Sequence, residues 1–142
     1  MQFDHVELYV GDREKAVRWY GHVLEFLPEP RLADWARRGP LMIANQAGQM
    51  LALFKGPAQG HHPERGFRRV AFRVDADGFV RFLQRATKYE PTLPEQMELR
   101  DHSLAISVYF ADPFGNQLEV TTYDHESARE SIHRFWPDKA FT

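Results

Sequence analysis

Apolar and polar residues alternate strictly in two stretches, Val6-Glu7-Leu8-Tyr9-Val10 and Gln117-Leu118-Glu119-Val120-Thr121. A side-chain period of two marks each as a strand with one face toward a core. Val6, Leu8 and Val10 share one face of the first, with His5, Glu7 and Tyr9 on the other. In the second, Leu118 and Val120 face one way, and Gln117, Glu119 and Thr121 the other. Asp112-Pro113 starts a turn before it and Gly115 can supply the positive φ that closes it, so Ile106 to Thr122 reads as a hairpin. Glu119 is then a carboxylate in the middle of an apolar strand. Isolated burial of its charged form costs several kcal/mol, so it must be paired, hydrated or functional.

Helical spacing takes over between the strands. Asp12 is placed to cap a helix carrying Val17, Tyr20 and Leu24, which Pro28 prevents from continuing. Two or three strands are expected between Arg31 and Phe54, with turns at Arg38-Gly39-Pro40 and Ala47-Gly48. Then the pattern restarts. Arg69 to Val74 repeats the apolar positions of His5 to Val10 at an offset of 64 residues, and a helix beginning at Asp77 carries Phe79, Phe82, Leu83 and Ala86. Gly115 to Val120 repeats Gly48 to Leu53 at an offset of 67. The order strand, helix, three strands therefore occurs twice, which predicts an α+β fold of two tandem βαβββ modules.

The expected organisation is one domain over residues 1–142. It contains a module 1–56, a Gly/Pro-rich linker 57–66, a module 67–124 and a helical tail 125–142. The tail has Ala128, Ile132 and Phe135 near helical spacing, and Trp136-Pro137 ends it. It is suited to capping a sheet edge or a partner subunit.

Composition narrows the chemistry. The chain has 142 residues, 43% of them apolar, enough for one substantial core. Eighteen basic and 20 acidic residues nearly balance, which gives no electrostatic case for nucleic acid or an anionic membrane surface. No apolar run approaches the ~20 residues of a spanning helix, and the N-terminus lacks a basic region followed by an apolar run. A soluble, unprocessed, cytoplasmic protein is expected. The absence of cysteine excludes disulfides, thiolate ligands and a cysteine nucleophile, so any metal must be held by His and carboxylate.

The run Asp101-His102, Ser107, Tyr109-Phe110, Asp112-Pro113, Gly115-Asn116 and Glu119 resembles the DH…S-x-YF-x-DP-x-GN-x-x-E string of dioxygenase-like members of the vicinal oxygen chelate superfamily. That superfamily includes glyoxalase I, extradiol dioxygenases, and fosfomycin- and bleomycin-resistance proteins. The likeness covers nearly all of residues 1–124 and is stronger in the second module. It implies paired βαβββ units around a cleft that often holds a divalent metal, with ligands on the first and last strands of each unit. The internal repeat places those positions at His5, Ala52, Arg69 and Glu119.

His5 and Glu119 have metal-ligating atoms, whereas Ala52 has none and Arg69 is a permanent cation without a lone pair. Iron, manganese, zinc or nickel should therefore bind weakly or not at all. Arg69 has two possible placements: turned inward, it can pair with Glu119 in place of a metal; turned outward, it meets solvent. His5 is open between ligation and satisfaction by neighbouring backbone or Glu7. The resemblance implies His102 and Tyr109 as the catalytic, proton-handling groups, with Ser107 on the same face as Tyr109. Tyr9, Phe54, Met50 and the segment around Trp35 offer aromatic and apolar surface to a ligand, although core packing accounts for them equally well. Arg69 and Arg73 could select a carboxylate or phenolate. His61 and His62 of the linker are a remote source of a third metal ligand.

Two functions are consistent with these residues. One is a glyoxalase- or dioxygenase-like protein acting on or binding a small aromatic or anionic molecule at an incomplete metal site. The other is a metal-free binder of bleomycin-resistance type. A homodimer is expected in either case.

Overall fold

The computed structural model describes residues 1–57, 68–139 and 141. The chain forms two compact units, Met1–Phe67 and Arg68–Thr142. Each contains a four-stranded sheet, so the fold is mixed α+β, as the repeat predicts. Residues 58–67, which include His61, His62 and all of the expected linker after Pro57, lie outside the described residues.

In the first unit, β1 (His5–Val10), α1 (Arg13–Leu24), β2 (Leu27–Pro28), β3 (Leu41–Ala44) and β4 (Met50–Lys55) build a sheet of order β1-β4-β3-β2. Asp12 caps α1 as expected, its carboxylate accepting from Lys15 N at 2.9 Å. The buried stripe of the helix is Ala16, Trp19, Tyr20 and Val23, so it is rotated from the Val17, Tyr20, Leu24 stripe of the sequence reading. Trp19 explains the rotation, because burying its large ring against the edge of Tyr20 at 5.0 Å outweighs burying Val17. The chain turns out of the helix at Glu25, which adopts a left-handed conformation.

Two strands, β3 and β4, occupy the span from Arg31 to Phe54 as expected; Pro30–Arg37 before them form a 3-10 helix that the sequence pattern did not indicate, and β2 precedes Arg31. Pro30 at its start and the Glu29 carboxylate on Arg31 N favour this turn over an extended chain. Arg13 anchors it. Its guanidinium donates to Leu53 O at 3.1 Å and Ala36 O at 2.9 Å, and also to Gly39 O, joining α1, β4 and the 3-10 segment.

In the second unit, β5 (Val70–Arg73), α2 (Ala76–Tyr89), a single-turn α3 (Leu93–Gln96), β6 (Glu98–Asp101), β7 (Ile106–Ala111) and β8 (Gln117–Thr122) repeat the order, as β5-β8-β7-β6. Helix α2 starts one residue before the expected Asp77, because Asp75 is the cap and accepts from Gly78 N at 2.6 Å. Asp77 sits in the first turn, where a carboxylate suits the helix dipole. Phe79, Phe82, Leu83 and Ala86 are buried as predicted, and Phe82 meets Phe110 of β7 at 5.2 Å. In the β7–β8 turn Asp112 accepts from Phe114 N and Asn116 N, and Gly115 has φ +87°. The tail forms α4 (His125–Phe135), whose buried Ala128 and Ile132 belong to a helix packed on α2 and β7.

The strand registers carry the sequence repeat. Val6 pairs with Leu51 and Val70 with Leu118, both in parallel, reproducing the offsets of 64 and 67 residues. The two sheets share one strand order, while α3 and α4 belong to the second unit alone among the described residues.

Replacing Arg13 with alanine leaves three part-buried carbonyls without that donor and should lower unfolding free energy by about 1–3 kcal/mol. Urea unfolding followed by tryptophan fluorescence measures this.

Candidate functional site

The register of the second sheet places its polar residues in transverse rows on one face. Ala71, Glu119, Tyr109 and Glu98 form one row across β5, β8, β7 and β6. Arg73, Thr121, Ser107 and Arg100 form the next. Between them, Val120, Val108 and Leu99 point the opposite way and are buried. Period-two alternation thus separates the polar face from the apolar one, and Glu119 lies half-buried among polar neighbours, as its place in the sequence requires.

Tyr109 is the centre of this face. Its hydroxyl meets His102 Nε2 at 2.8 Å, and the Arg69 guanidinium lies over its ring, 4.0 Å from the centroid. Arg100 approaches the same ring at 5.9 Å and also pairs with Glu98 at 2.6 Å. Glu119 stands opposite Tyr109 in register. Arg69 is exposed, and among the described residues it forms no ion pair with Glu119. The contact of its cation with the ring contributes about 0.5–1 kcal/mol at an exposed site.

Other expected site residues are distributed as follows. Ser107 is 2% exposed and donates to Thr121 Oγ1 at 2.9 Å, so its hydroxyl serves the sheet. Arg73 lies over the Tyr123 ring at 5.0 Å. In the first unit, Tyr9 and Phe54 pair across β1 and β4 with stacked rings 5.4 Å apart, and Trp35 is exposed on the 3-10 segment. His5 has Nδ1 2.6 Å from Asp4 Oδ2 and Nε2 4.0 Å from Glu7 Oε1.

Sequence reasoning missed a second cluster beside this face. Asp101 ends β6 and accepts from His125 Nε2 of α4 at 2.7 Å, while Arg129 Nη1 lies 3.4 Å from its other oxygen. Side-chain exposures of 14% for His125 and 20% for Asp101 remove the pair from most of the solvent. The hydrogen bond with Asp101 raises the His125 pKa above its ordinary value. The same bond, followed by the Ser103 N–H, lowers that of Asp101. Asp101 is in the Asp-His dipeptide of the motif, but its partner is 24 residues away.

A divalent metal does not fit the donors described. Ala52 and Arg69 offer none, Asp4 occupies one nitrogen of His5, and among the described residues no three His, Asp or Glu side chains are grouped to hold an ion.

The model of the Glyoxalase/Bleomycin resistance protein/Dioxygenase superfamily matches residues 2–120. The chain belongs to this superfamily. Structural comparison agrees in fold. A fosfomycin resistance protein FosX from Mesorhizobium loti has TM-score 0.60 and 20% identity, with 85% of this chain and 91% of that one covered. A glyoxalase/dioxygenase from Nostoc punctiforme has TM-score 0.60 and 22% identity, covering 86% and 90%. FosX from Listeria monocytogenes, complexed with Mn(II) and sulfate, has TM-score 0.61 and 14% identity, covering 93% and 98%. No curated protein matches the chain. Among the described residues, no helix of this superfamily member is long and apolar enough to cross a membrane.

The Asp101–His125 pair sets a pH dependence with two arms. His125, with its pKa raised, contributes fully below about pH 6.5 and loses that contribution as pH rises through its folded value. Asp101, with its pKa lowered, contributes fully above about pH 4 and loses it as pH falls through its folded value. The stability difference between the wild type and Asp101→Asn should therefore be greatest between about pH 4 and 6.5. Urea unfolding of both proteins across pH 3–9 checks both arms.

Proposed function

We propose that this superfamily member binds a small planar anion, aromatic or carboxylate-bearing, on the polar face of the second sheet, without a tightly held metal. The observation that carries this reading is the Arg69 guanidinium over the Tyr109 ring, beside the His102–Tyr109 hydrogen bond. Arg69, Arg73 and Arg100 outnumber Glu98 and Glu119 on or beside this face, which favours a negatively charged ligand. A flat ligand can slide against the guanidinium plane, which stacks and donates paired hydrogen bonds at once. The hydroxyl of Tyr109 and the ring of His102 would receive its phenolic or carboxylate oxygen.

A second reading is favoured by one distance. The 2.8 Å contact between His102 and Tyr109 joins two groups able to pass a proton, so a dioxygenase-like or glyoxalase-like reaction on the bound molecule is the enzymatic alternative. A homodimer and a cytoplasmic setting accompany both readings, and the dimer is checked by sedimentation.

The test is titration with 4-nitrophenolate, followed by absorbance, before and after exhaustive dialysis against chelator. Binding should survive dialysis, and Arg69→Met should weaken it about tenfold, equivalent to ~1.4 kcal/mol. Binding that appears only on addition of Mn(II) would overturn the metal-free reading.

A further inference from the structure

The turn between β6 and β7 delivers His102 to Tyr109, and it is not held by local chain preference. Ser103 has φ +67°, a left-handed conformation that costs a non-glycine residue roughly 1–2 kcal/mol. Two hydrogen bonds close the turn: His102 N donates to Ala105 O at 2.9 Å, and Ser103 N donates to Asp101 Oδ1 at 2.8 Å. Leu104 is exposed, so the tip gains little from apolar packing. The Asp101 carboxylate therefore supplies the side-chain restraint on Ser103.

That carboxylate is in turn held from outside the sheet. His125 Nε2 lies 2.7 Å from the oxygen that receives Ser103 N–H, and Arg129 Nη1 lies 3.4 Å from the other. Both come from α4, which starts beyond residue 120, where the match to the superfamily model ends. The start of α4 is itself fixed, since Asp124 Oδ2 accepts from Ala76 N at the head of α2. A contiguous path runs from α2 through Asp124, His125, Asp101 and Ser103 to His102 and Tyr109.

We infer that His125 is a positioning residue: through Asp101 it holds the β6–β7 turn in the shape that sets His102 against the Tyr109 hydroxyl. The tail helix is thereby part of the site without touching a ligand. The ligand-binding consequence rests on the function proposed above, whereas the His102–Tyr109 geometry does not.

Two readouts keep these apart. The first is the nuclear Overhauser contact between the rings of His102 and Tyr109, whose centroids lie 6.2 Å apart edge to face. The second is 4-nitrophenolate affinity. His125→Ala should abolish the ring contact and weaken the probe several-fold, and Asp101→Ala, which removes the acceptor of Ser103 N–H, should do the same. His125→Gln, whose amide can donate to Asp101, should restore both. Val23→Ala, in the core of the first unit, lowers stability without altering α4 and should leave the ring contact intact.

The inference is overturned if the ring contact persists in His125→Ala, or if Val23→Ala removes it equally. Should the wild type fail to bind the probe, the proposed function fails, and the ring contact alone still decides the role of His125.

Discussion

The parallel pairing of β5 with β8 is the constraint on which the second unit depends. With Val70 on Leu118, the apolar residues of both strands turn toward α2, and Glu119 emerges on the other face. A slip of one residue would drive the carboxylate into the Phe79, Phe82 and Leu83 core and expose Leu118 and Val120. Burial of those apolar side chains, at roughly 1.5–3 kcal/mol each, is what excludes the slipped register. Function inherits this precision, because the transverse row that places Glu119 beside Tyr109 is the same register read across three strands.

The duplicated architecture was legible because it rests on local signals that recur. Alternation, the Asp12 cap and the glycine at 115 each have a physical meaning that does not depend on the rest of the chain. The offsets of the repeat recur in the registers, Val6 on Leu51 in the first unit corresponding to Val70 on Leu118 in the second. Short irregular elements were not legible. The 3-10 segment Pro30–Arg37 has no period long enough to read, and its anchoring by Arg13 depends on carbonyls up to 40 residues away.

The site was legible in its members more than in its bonds. Alternation placed Tyr109 and Glu119 on one face, yet it left Arg69 open between Glu119 and solvent and did not reveal the contact with the Tyr109 ring. Side-chain conformation, which a period-two pattern does not carry, decides that contact. His125 was hidden for a different reason. It opens a helix that the repeat does not contain, so nothing in the first unit forecasts its contact with Asp101.

One detail of the repeat separates its halves. In the first unit the carboxylate of the central row is on the opening strand, with Glu7 beside Ala52, whereas in the second it is on the closing strand, with Glu119 beside Ala71. Exchange of opening strands between the halves would bring Glu7 against Glu119 and leave alanine against alanine. Like charges directly opposed in a sheet cost up to about 1 kcal/mol, so the two near-copies carry a built-in preference for their own strands.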